Sequence, residues 1–355
     1  MRVQLRMVVA LVLVFTLAFI GAACSDGNGE DTGDATTETT AVDETTAETE
    51  AADSGETVTL EVVAAWSENN TMNDALSMLQ ETVEQKSNGR LKIEWGGGPE
   101  SIPAFQQADA LRNGIVDIAW TAHTYNVSQI PVLEGAKFSQ LSPSEEREVG
   151  AADFYDRVYQ ENMNARYLGK GTPGLTFSLY TTFPVETIDD FQGKSVRVTP
   201  AYKAFVEALG AAPVTTDPSE VYTALERGTV EGYGWPSVGT IDFGWDEVTD
   251  YVIDPSFYQV DVVALVNAEK WDELPADLQD VLKESMMEVE VQAYDHFKSL
   301  IEEDRAALAE RGVEEMKLSS EQADEFLQLA YEVGWEQVLQ NEPELGAELK
   351  EMISE

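Results

Sequence analysis

The most constraining feature of the sequence is a long stretch of helical periodicity near the C-terminus. Apolar residues recur at helical spacing from Asp277 to Arg311, which predicts one amphipathic helix. At 1.5 Å per residue, an unbroken helix over this range is about 50 Å long. The sequence therefore predicts a two-lobed body in which a single helix, residues 277–311, spans both lobes.

The chain from residue 57 to residue 120 alternates between strand and helix patterns. Strands are predicted at 57–64, 91–95 and 115–120, and helices at 72–83 and 102–113. This β-α-β-α-β order is typical of a mostly parallel sheet wrapped by helices. The fold class expected for this lobe is therefore α/β.

The second half repeats this scheme. It has predicted strands at 174–180, 195–198, 213–215 and 229–233, and helices at 201–209 and 218–227, the second capped by Asp217. Beyond the long helix, helices are predicted at about 320–340 and 344–353. We expect lobe I to comprise residues 57–180, completed by parts of 262–355, and lobe II to comprise 181–261.

One segment in each half shares a pattern. Residues 110–117 align without gaps onto 224–231, and each segment reads as a helix end, a capping Gly and a strand with an acid at the same place. Chance is the alternative explanation, because Ala-Leu-x-x-Gly is common at helix ends. The shared order of neighbouring elements favours two related lobes.

The N-terminus resembles a bacterial lipoprotein signal. Arg2 and Arg6 precede an apolar run, residues 7–20, and small residues lead to Cys24. The run is too short for a membrane span, which needs about 20 apolar residues. We expect residues 1–23 to be removed and Cys24 to carry a lipid that anchors the exported protein to the outer face of the cytoplasmic membrane. An ordinary signal with an incidental Cys is the alternative.

The segment 24–56 contains eleven acidic residues and no Lys or Arg. It also lacks aromatic residues, so it cannot bury a core and is expected to be a disordered tether. The whole chain has a formal net charge of −44. That charge argues against binding to nucleic acid or to anionic lipid, because both require clustered cations. A monomer is the default expectation.

The sequence contains no recognisable enzyme motif. It lacks a dinucleotide-binding glycine pattern, a phosphate loop and a nucleophile elbow. One Cys excludes a Cys-rich zinc site, and two widely separated His, His123 and His296, argue against a His-ligated metal. We expect neither catalysis nor a cofactor nor a metal. A secreted hydrolase is the remaining enzyme alternative, and no nucleophile or carboxylate pair supports it.

Arg197 stands out among the few cations, because it lies inside an apolar-flanked strand. It either points to solvent at a sheet edge or is held in a cleft for an anion. Several aromatic residues follow predicted strand ends, where open α/β sheets bind ligands, although core packing explains each one alone. They include Trp66, Tyr125, Tyr233, Trp235 and Tyr258.

Three segments of the second half resemble the solute-binding proteins of TRAP transporters. They are Phe191–Val198 (FQGKSVRV), Ala208–Val214 (ALGAAPV) and Glu220–Gly232 (EVYTALERGTVEG). The segments 87–93 and 114–118 are similar to the first lobe of that family. The resemblance covers about residues 57–340. It implies two α/β lobes of the periplasmic-binding-protein type that close around a solute and deliver it to an ion-driven membrane permease.

The resemblance assigns Arg197 to the carboxylate of a small organic acid. Trp235 stands where many members have Asn, and Gly234 where some members have a metal-holding Glu, so metal bridging is not expected. Phe177 aligns with a second arginine of acid-binding members. We therefore expect one arginine and an aromatic wall, which suits a monocarboxylate with an apolar or aromatic body. Trp66, Tyr125, Tyr233 and Tyr258 are further wall candidates, with His123 as a polar contact.

Two other receptor classes remain open on the sequence. An ABC-type binding protein has similar lobes but an ATP-driven partner. A sensory receptor also uses lobe closure, which signals as well as delivers.

Overall fold

The structure is a computed structural model that describes residues 57–216 and 218–354. The expected signal segment, the acidic tether and Cys24 lie outside these ranges, as does Asp217, the expected helix cap. Across the described ranges, no helix combines the length and the apolar composition that a membrane span requires.

The strands are numbered in chain order. They are β1 (Val58–Ala64), β2 (Leu91–Gly97), β3 (Ile118–Ala122), β4 (Ala165–Lys170), β5 (Thr176–Thr181), β6 (Ser195–Val198), β7 (Ala212–Thr215), β8 (Gly232–Pro236), β9 (Tyr251–Asp254), β10 (Phe257–Gln259), β11 (Val262–Asn267) and β12 (Glu314–Lys317).

The α-helices are numbered in the same way. They are α1 (Asp74–Lys86), α2 (Gln107–Arg112), α3 (Pro143–Glu148), α4 (Ala151–Met163), α5 (Lys203–Ala208), α6 (Val221–Glu226), α7 (Ala268–Glu273), α8 (Ala276–Glu310), α9 (Ser320–Asn341) and α10 (Pro343–Ile353). Short 3₁₀ turns separate several of them, including Ala104–Gln106, His123–Tyr125 and Pro131–Phe138.

The first sheet has the strand order β2-β1-β3-β11-β4. β1 runs parallel to β2 and β3, which confirms the predicted β-α-β-α-β unit. β11 is antiparallel to both β3 and β4. The sequence pattern missed β4 and β11. Every residue of β11 is buried, so the strand lacks the alternation that marks a half-exposed strand.

The second sheet has the order β12-β9-β5-β8-β6-β7, with β10 paired to β5. β6 runs parallel to β7 and β8, whereas β5 is antiparallel to β8. The strand expected at 229–233 was misplaced. Residues 229–231 form the turn that leaves α6, and Thr229 N–H donates to the Ala224 carbonyl, so β8 begins only at Gly232.

The same turn enters β3 and β8. Gly114 and Gly228 both adopt left-handed φ angles, +67° and +65°. Asp117 then accepts a hydrogen bond from the Glu61 N–H of β1, and the equivalent Glu231 accepts one from the Ser195 N–H of β6. The aligned segments therefore fold alike, and each leads into the N-terminal end of its strand.

Two chain crossings and the long helix α8 are among the connections between the described sheets. The chain leaves the first sheet through residues 171–175, the outward crossing, and returns through residues 260–261, the return crossing. Most of β5 lies before the expected boundary between the lobes at 180/181, yet this strand pairs in the second sheet. The exact limits of the two lobes remain a prediction. α8 has 35 residues and bridges the lobes as the periodicity predicted.

The two ends of α8 pack on different cores. Leu278 and Phe297 lie in the core that covers the first sheet, and Leu308 lies in a cluster on the second sheet. Polar contacts extend this pattern, since His296 contacts Asp74 of α1 and Arg305 contacts Asp254 of β9. The helix therefore connects the two bodies that position the site.

The Gly at position 334 allows α9 to approach the turn 131–138. A Cβ at this position would overlap the buried ring of Phe138. We predict that Gly334→Ala lowers the free energy of unfolding by about 1–2 kcal/mol, because overpacking outweighs the roughly 1 kcal/mol that Ala gains in a helix. Urea titration measures the change. Gln337→Ala, on the exposed face of the same helix, is the matched control, and an unchanged midpoint for Gly334→Ala would contradict the packing.

Candidate functional site

The candidate site lies beyond the C-terminal ends of the parallel strands. Ligands of open α/β sheets bind at this edge, where loops replace the paired backbone. In the first sheet, β1 leads to Trp66, and β3 leads to the turn His123–Tyr125. In the second sheet, Arg197 lies next to the last residue of β6, and Trp235 lies next to the last residue of β8.

Arg197 is a buried cation held by neutral acceptors. Its side chain belongs to a residue that is 1% exposed. Nε and Nη2 donate to the Thr216 carbonyl at 3.2 and 3.0 Å, and Nη1 lies 3.3 Å from both the Tyr202 hydroxyl and the Gly234 carbonyl. No carboxylate of the described residues forms an ion pair with it. A buried charge without a counter-ion is costly, so this guanidinium is suited to an incoming anion.

Tyr202 and Gly234 set the position of the guanidinium. The Tyr202 hydroxyl donates to the Gly234 carbonyl at 2.6 Å, and the Tyr202 ring occupies the space that a Cβ on Gly234 would need. A Glu at position 234 would collide with this ring. Sequence reasoning missed Tyr202, although a tyrosine directly after a strand end and before a helix is a recognisable signal.

Trp235 forms one wall beside Arg197. The guanidinium carbon lies 5.7 Å from the centre of the Trp235 ring, a cation–π distance. Trp235 meets Trp245 edge-on at 4.8 Å and Phe243 edge-on at 5.5 Å. Tyr233, another wall candidate, is buried and stacks on Tyr180 at 4.9 Å. The structure thus places Tyr233 in the core that supports Trp245.

Tyr125 belongs to an aromatic group at the C-terminal end of β3. Its ring lies 6.0 Å from Trp66 and 4.8 Å from Phe105, which is 70% exposed and was not anticipated. Burial raises the pKa of Tyr125 to about 12, and the nearby Asp261 raises it further while Arg197 lowers it. Tyr125 is therefore close enough to Arg197 for the charge of the guanidinium to affect its pKa.

The remaining candidates lie in supporting positions. Phe177 is half-buried and packs on Tyr202 at 5.2 Å, so it backs the residue that bonds Arg197. The Tyr258 hydroxyl donates to the Ala330 carbonyl at 2.5 Å, which ties β10 to α9. Phe177 therefore supports the residue that contacts the arginine, whereas Tyr258 packs in the core between β10 and α9.

His123 is enclosed by tyrosines beneath the turn. It is fully buried, its Nδ1 lies 3.0 Å from the Tyr159 hydroxyl, and its ring stacks near Tyr159 and Tyr167. Burial and the nearby Lys170 lower the pKa of His123 well below its ordinary value. The imidazole is therefore neutral at physiological pH and offers no charge to a ligand.

Metal ligands are not assembled in the described part of the chain. No group of three or more His, Cys, Asp or Glu side chains in residues 57–216 and 218–354 is arranged to hold an ion. The arrangement around Arg197 consists of guanidinium, hydroxyl, carbonyl and aromatic groups. Groups of these kinds can donate hydrogen bonds to an anion and pack against an apolar ligand body.

Known proteins share this fold and sequence pattern. The sequence profile of bacterial extracellular solute-binding protein family 7, named DctP, matches residues 62–340. A TRAP periplasmic solute-binding protein from Marinobacter aquaeolei, solved in an apo open form, superposes with a TM-score of 0.74 at 19% identity. The match covers 84% of this chain and all of that one.

Curated relatives show the same relationship at low identity. A monocarboxylate 2-oxoacid-binding periplasmic protein of Nostoc is 23% identical over 231 residues, which is 61% of this chain and 62% of the relative. The C4-dicarboxylate-binding protein of Rhodobacter capsulatus is 29% identical over 180 residues, 48% of this chain and 51% of the relative. The matches thus span about half to two thirds of these relatives. On the profile match, the chain belongs to family 7 of the bacterial extracellular solute-binding proteins, the DctP family, whose members bind solutes rather than catalyse reactions.

Proposed function

We propose that this protein is the solute receptor of a TRAP-type secondary transporter and that it captures a small organic monocarboxylate between its lobes. The observation that carries the proposal is Arg197, a buried guanidinium whose described partners are all neutral. A guanidinium presents a planar fork of donors that matches a carboxylate in two places. The ligand carboxylate would supply the missing negative charge.

The surroundings of Arg197 favour one carboxylate and an apolar body. Phe177, aligned with a second arginine of acid-binding relatives, packs on Tyr202 and adds no charge. Trp235, beside Arg197, and Tyr125, beside Trp66, would supply aromatic faces for the ligand body. The relatives from Nostoc and Rhodobacter capsulatus are named for monocarboxylate 2-oxoacids and C4-dicarboxylates. The single arginine favours the first of these classes here.

We further propose that the receptor is attached to the membrane through Cys24 and passes its ligand to an integral membrane permease driven by an ion gradient. The lipoprotein-like signal supports the anchor. An acidic tether of 24–56 would hold the binding domain a few nanometres from the surface, within reach of a permease. Family membership supports the transporter partner.

Arg197→Ala tests the site directly. Binding at 100 times the dissociation constant stabilises a protein by about 2.7 kcal/mol, so a ligand in a panel of pyruvate, phenylpyruvate, benzoate and succinate should raise the melting temperature. We predict a rise for a monocarboxylate and none in Arg197→Ala. Arg112→Ala, an exposed arginine on α2, is the control and should keep the rise. Stabilisation by succinate alone, or a rise that survives Arg197→Ala, would contradict the proposal.

Trp235→Ala tests the aromatic wall. Aromatic contacts contribute about 0.5–1.5 kcal/mol beyond area burial, and a lost ring also removes apolar contact. We therefore predict that phenylpyruvate affinity falls at least about tenfold, while pyruvate affinity changes much less. Calorimetric titration of both acids into both proteins measures the difference. Equal losses for the two acids would show that Trp235 supports Arg197 without contacting the ligand body.

Cys24→Ser tests the anchor. We predict that the full-length protein, expressed in a bacterium that processes lipoproteins, separates with the membrane fraction, and that Cys24→Ser releases it to the soluble fraction. Labelling with a fatty-acid probe should be lost in the same variant. Membrane association that persists without Cys24 would indicate retention of the apolar segment 7–20.

A further inference from the structure

Asp261 is a buried carboxylate on the return crossing, and it holds the turn that carries Tyr125. The Thr124 N–H donates to Oδ2 of Asp261 at 2.7 Å, and the Thr124 hydroxyl donates to Oδ1 at 3.2 Å. The His123 N–H donates to the Asp261 backbone carbonyl at 3.0 Å. Three hydrogen bonds therefore fix one wall of the site to a segment that passes between the lobes.

The surroundings of Asp261 leave its charge without a partner of its own. Asp261 is 6% exposed, and no described cation forms an ion pair with it. Lys137 and Glu134 of the turn 131–138 affect the pKa of Asp261. Asp261 in turn raises the pKa of three tyrosines, namely Tyr125 of the turn His123–Tyr125 and Tyr155 and Tyr159 of α4. Lys137 is paired with Glu134, so these two charges largely offset each other.

We propose that Asp261 sets the affinity of the site for its anionic ligand, because it holds the turn of Tyr125 on the return crossing and takes up a proton from solvent when the anion enters. That the ligand is an anion rests on the proposed function. The hold on the turn is a property of the free protein and can be tested without a ligand.

The direction of the pH effect follows from burial. Burial raises the pKa of Asp261 to about 6, whereas a released and solvated turn would return the carboxyl to an ordinary value of about 3.9. Protonation therefore favours the held turn, and ionisation favours its release. A ligand that binds only when the turn is held favours the protonated form in the same way, by linkage. Both effects predict that affinity for an anion rises as pH falls through about 6.

Hydrogen exchange of the ligand-free full chain tests whether Asp261 fixes the turn His123–Tyr125. We predict that protection factors of the Thr124 and Tyr125 amides increase about tenfold or more in the wild type between pH about 7.5 and about 5. Asp261→Asn, a neutral isostere that still accepts from the Thr124 N–H, should be as protected at the higher pH as at the lower. Asp190→Asn is the matched control. Asp190 also accepts backbone N–H groups, but it does so at a different 3₁₀ turn, Ile188–Phe191.

A second variant separates the two hydrogen bonds. Thr124→Val removes the hydroxyl donor and keeps the N–H donor, so protection should fall at every pH while the pH dependence remains. The wild-type pH series needs no variant and decides the question even if a substituted protein misfolds. Protection that is independent of pH in the wild type, or that follows the same pH curve in Asp261→Asn, would overturn the proposal.

Titration calorimetry tests the proton uptake with phenylpyruvate as the probe. Measured near pH 6.5 in two buffers of different ionisation enthalpy, the wild type should take up a fraction of a proton per ligand bound, and Asp261→Asn should take up less. The wild-type affinity should rise several-fold toward pH 5, and that of Asp261→Asn should stay level. Equal proton uptake in both proteins would overturn the coupling. Failure of phenylpyruvate to bind would count against the proposed ligand, and the exchange experiment would still decide the role of Asp261.

Discussion

The site depends on one buried positive charge whose described partners are neutral. Arg197 donates to two backbone carbonyls and a tyrosine hydroxyl at the ends of β6, β7 and β8. Those bonds orient the guanidinium but do not neutralise it, and a charge in this position is costly without a counter-ion. In the proposed function, an anion that enters the cleft removes that cost. The proposed affinity for a carboxylate then follows from the fold of the second sheet, which buries the arginine.

The parallel strands bring both walls to this charge. The repeated turn at Gly114 and Gly228 starts β3 and β8 in the same way. As a result, Tyr125 follows one strand end and Trp235 lies at the other. The crossings and α8 then join the two sheets, and Asp261 connects the return crossing to the Tyr125 turn.

Local patterns in the sequence predicted the regular parts of the fold. The apolar spacing of 277–311 matches α8 to within one residue at each end, because the buried face of an amphipathic helix produces a regular apolar pattern in the sequence. β11 shows no such pattern, since both of its faces are buried. The sequence singled out Arg197 because an arginine within an apolar strand is rare, and the structure shows that its side chain is buried. Tyr202, Phe105 and Asp261 were missed, because their roles arise from contacts with residues far away in the chain.

A structure of the protein with a bound acid tests the central claim most directly. We predict that the carboxylate of phenylpyruvate accepts hydrogen bonds from Arg197, with its ring against Trp235 and with Tyr125 on the opposite side. In that complex the lobes should enclose the ligand between the strand ends of the two sheets. A ligand bound elsewhere, with Arg197 retaining only the Thr216, Tyr202 and Gly234 contacts described here, would contradict the account.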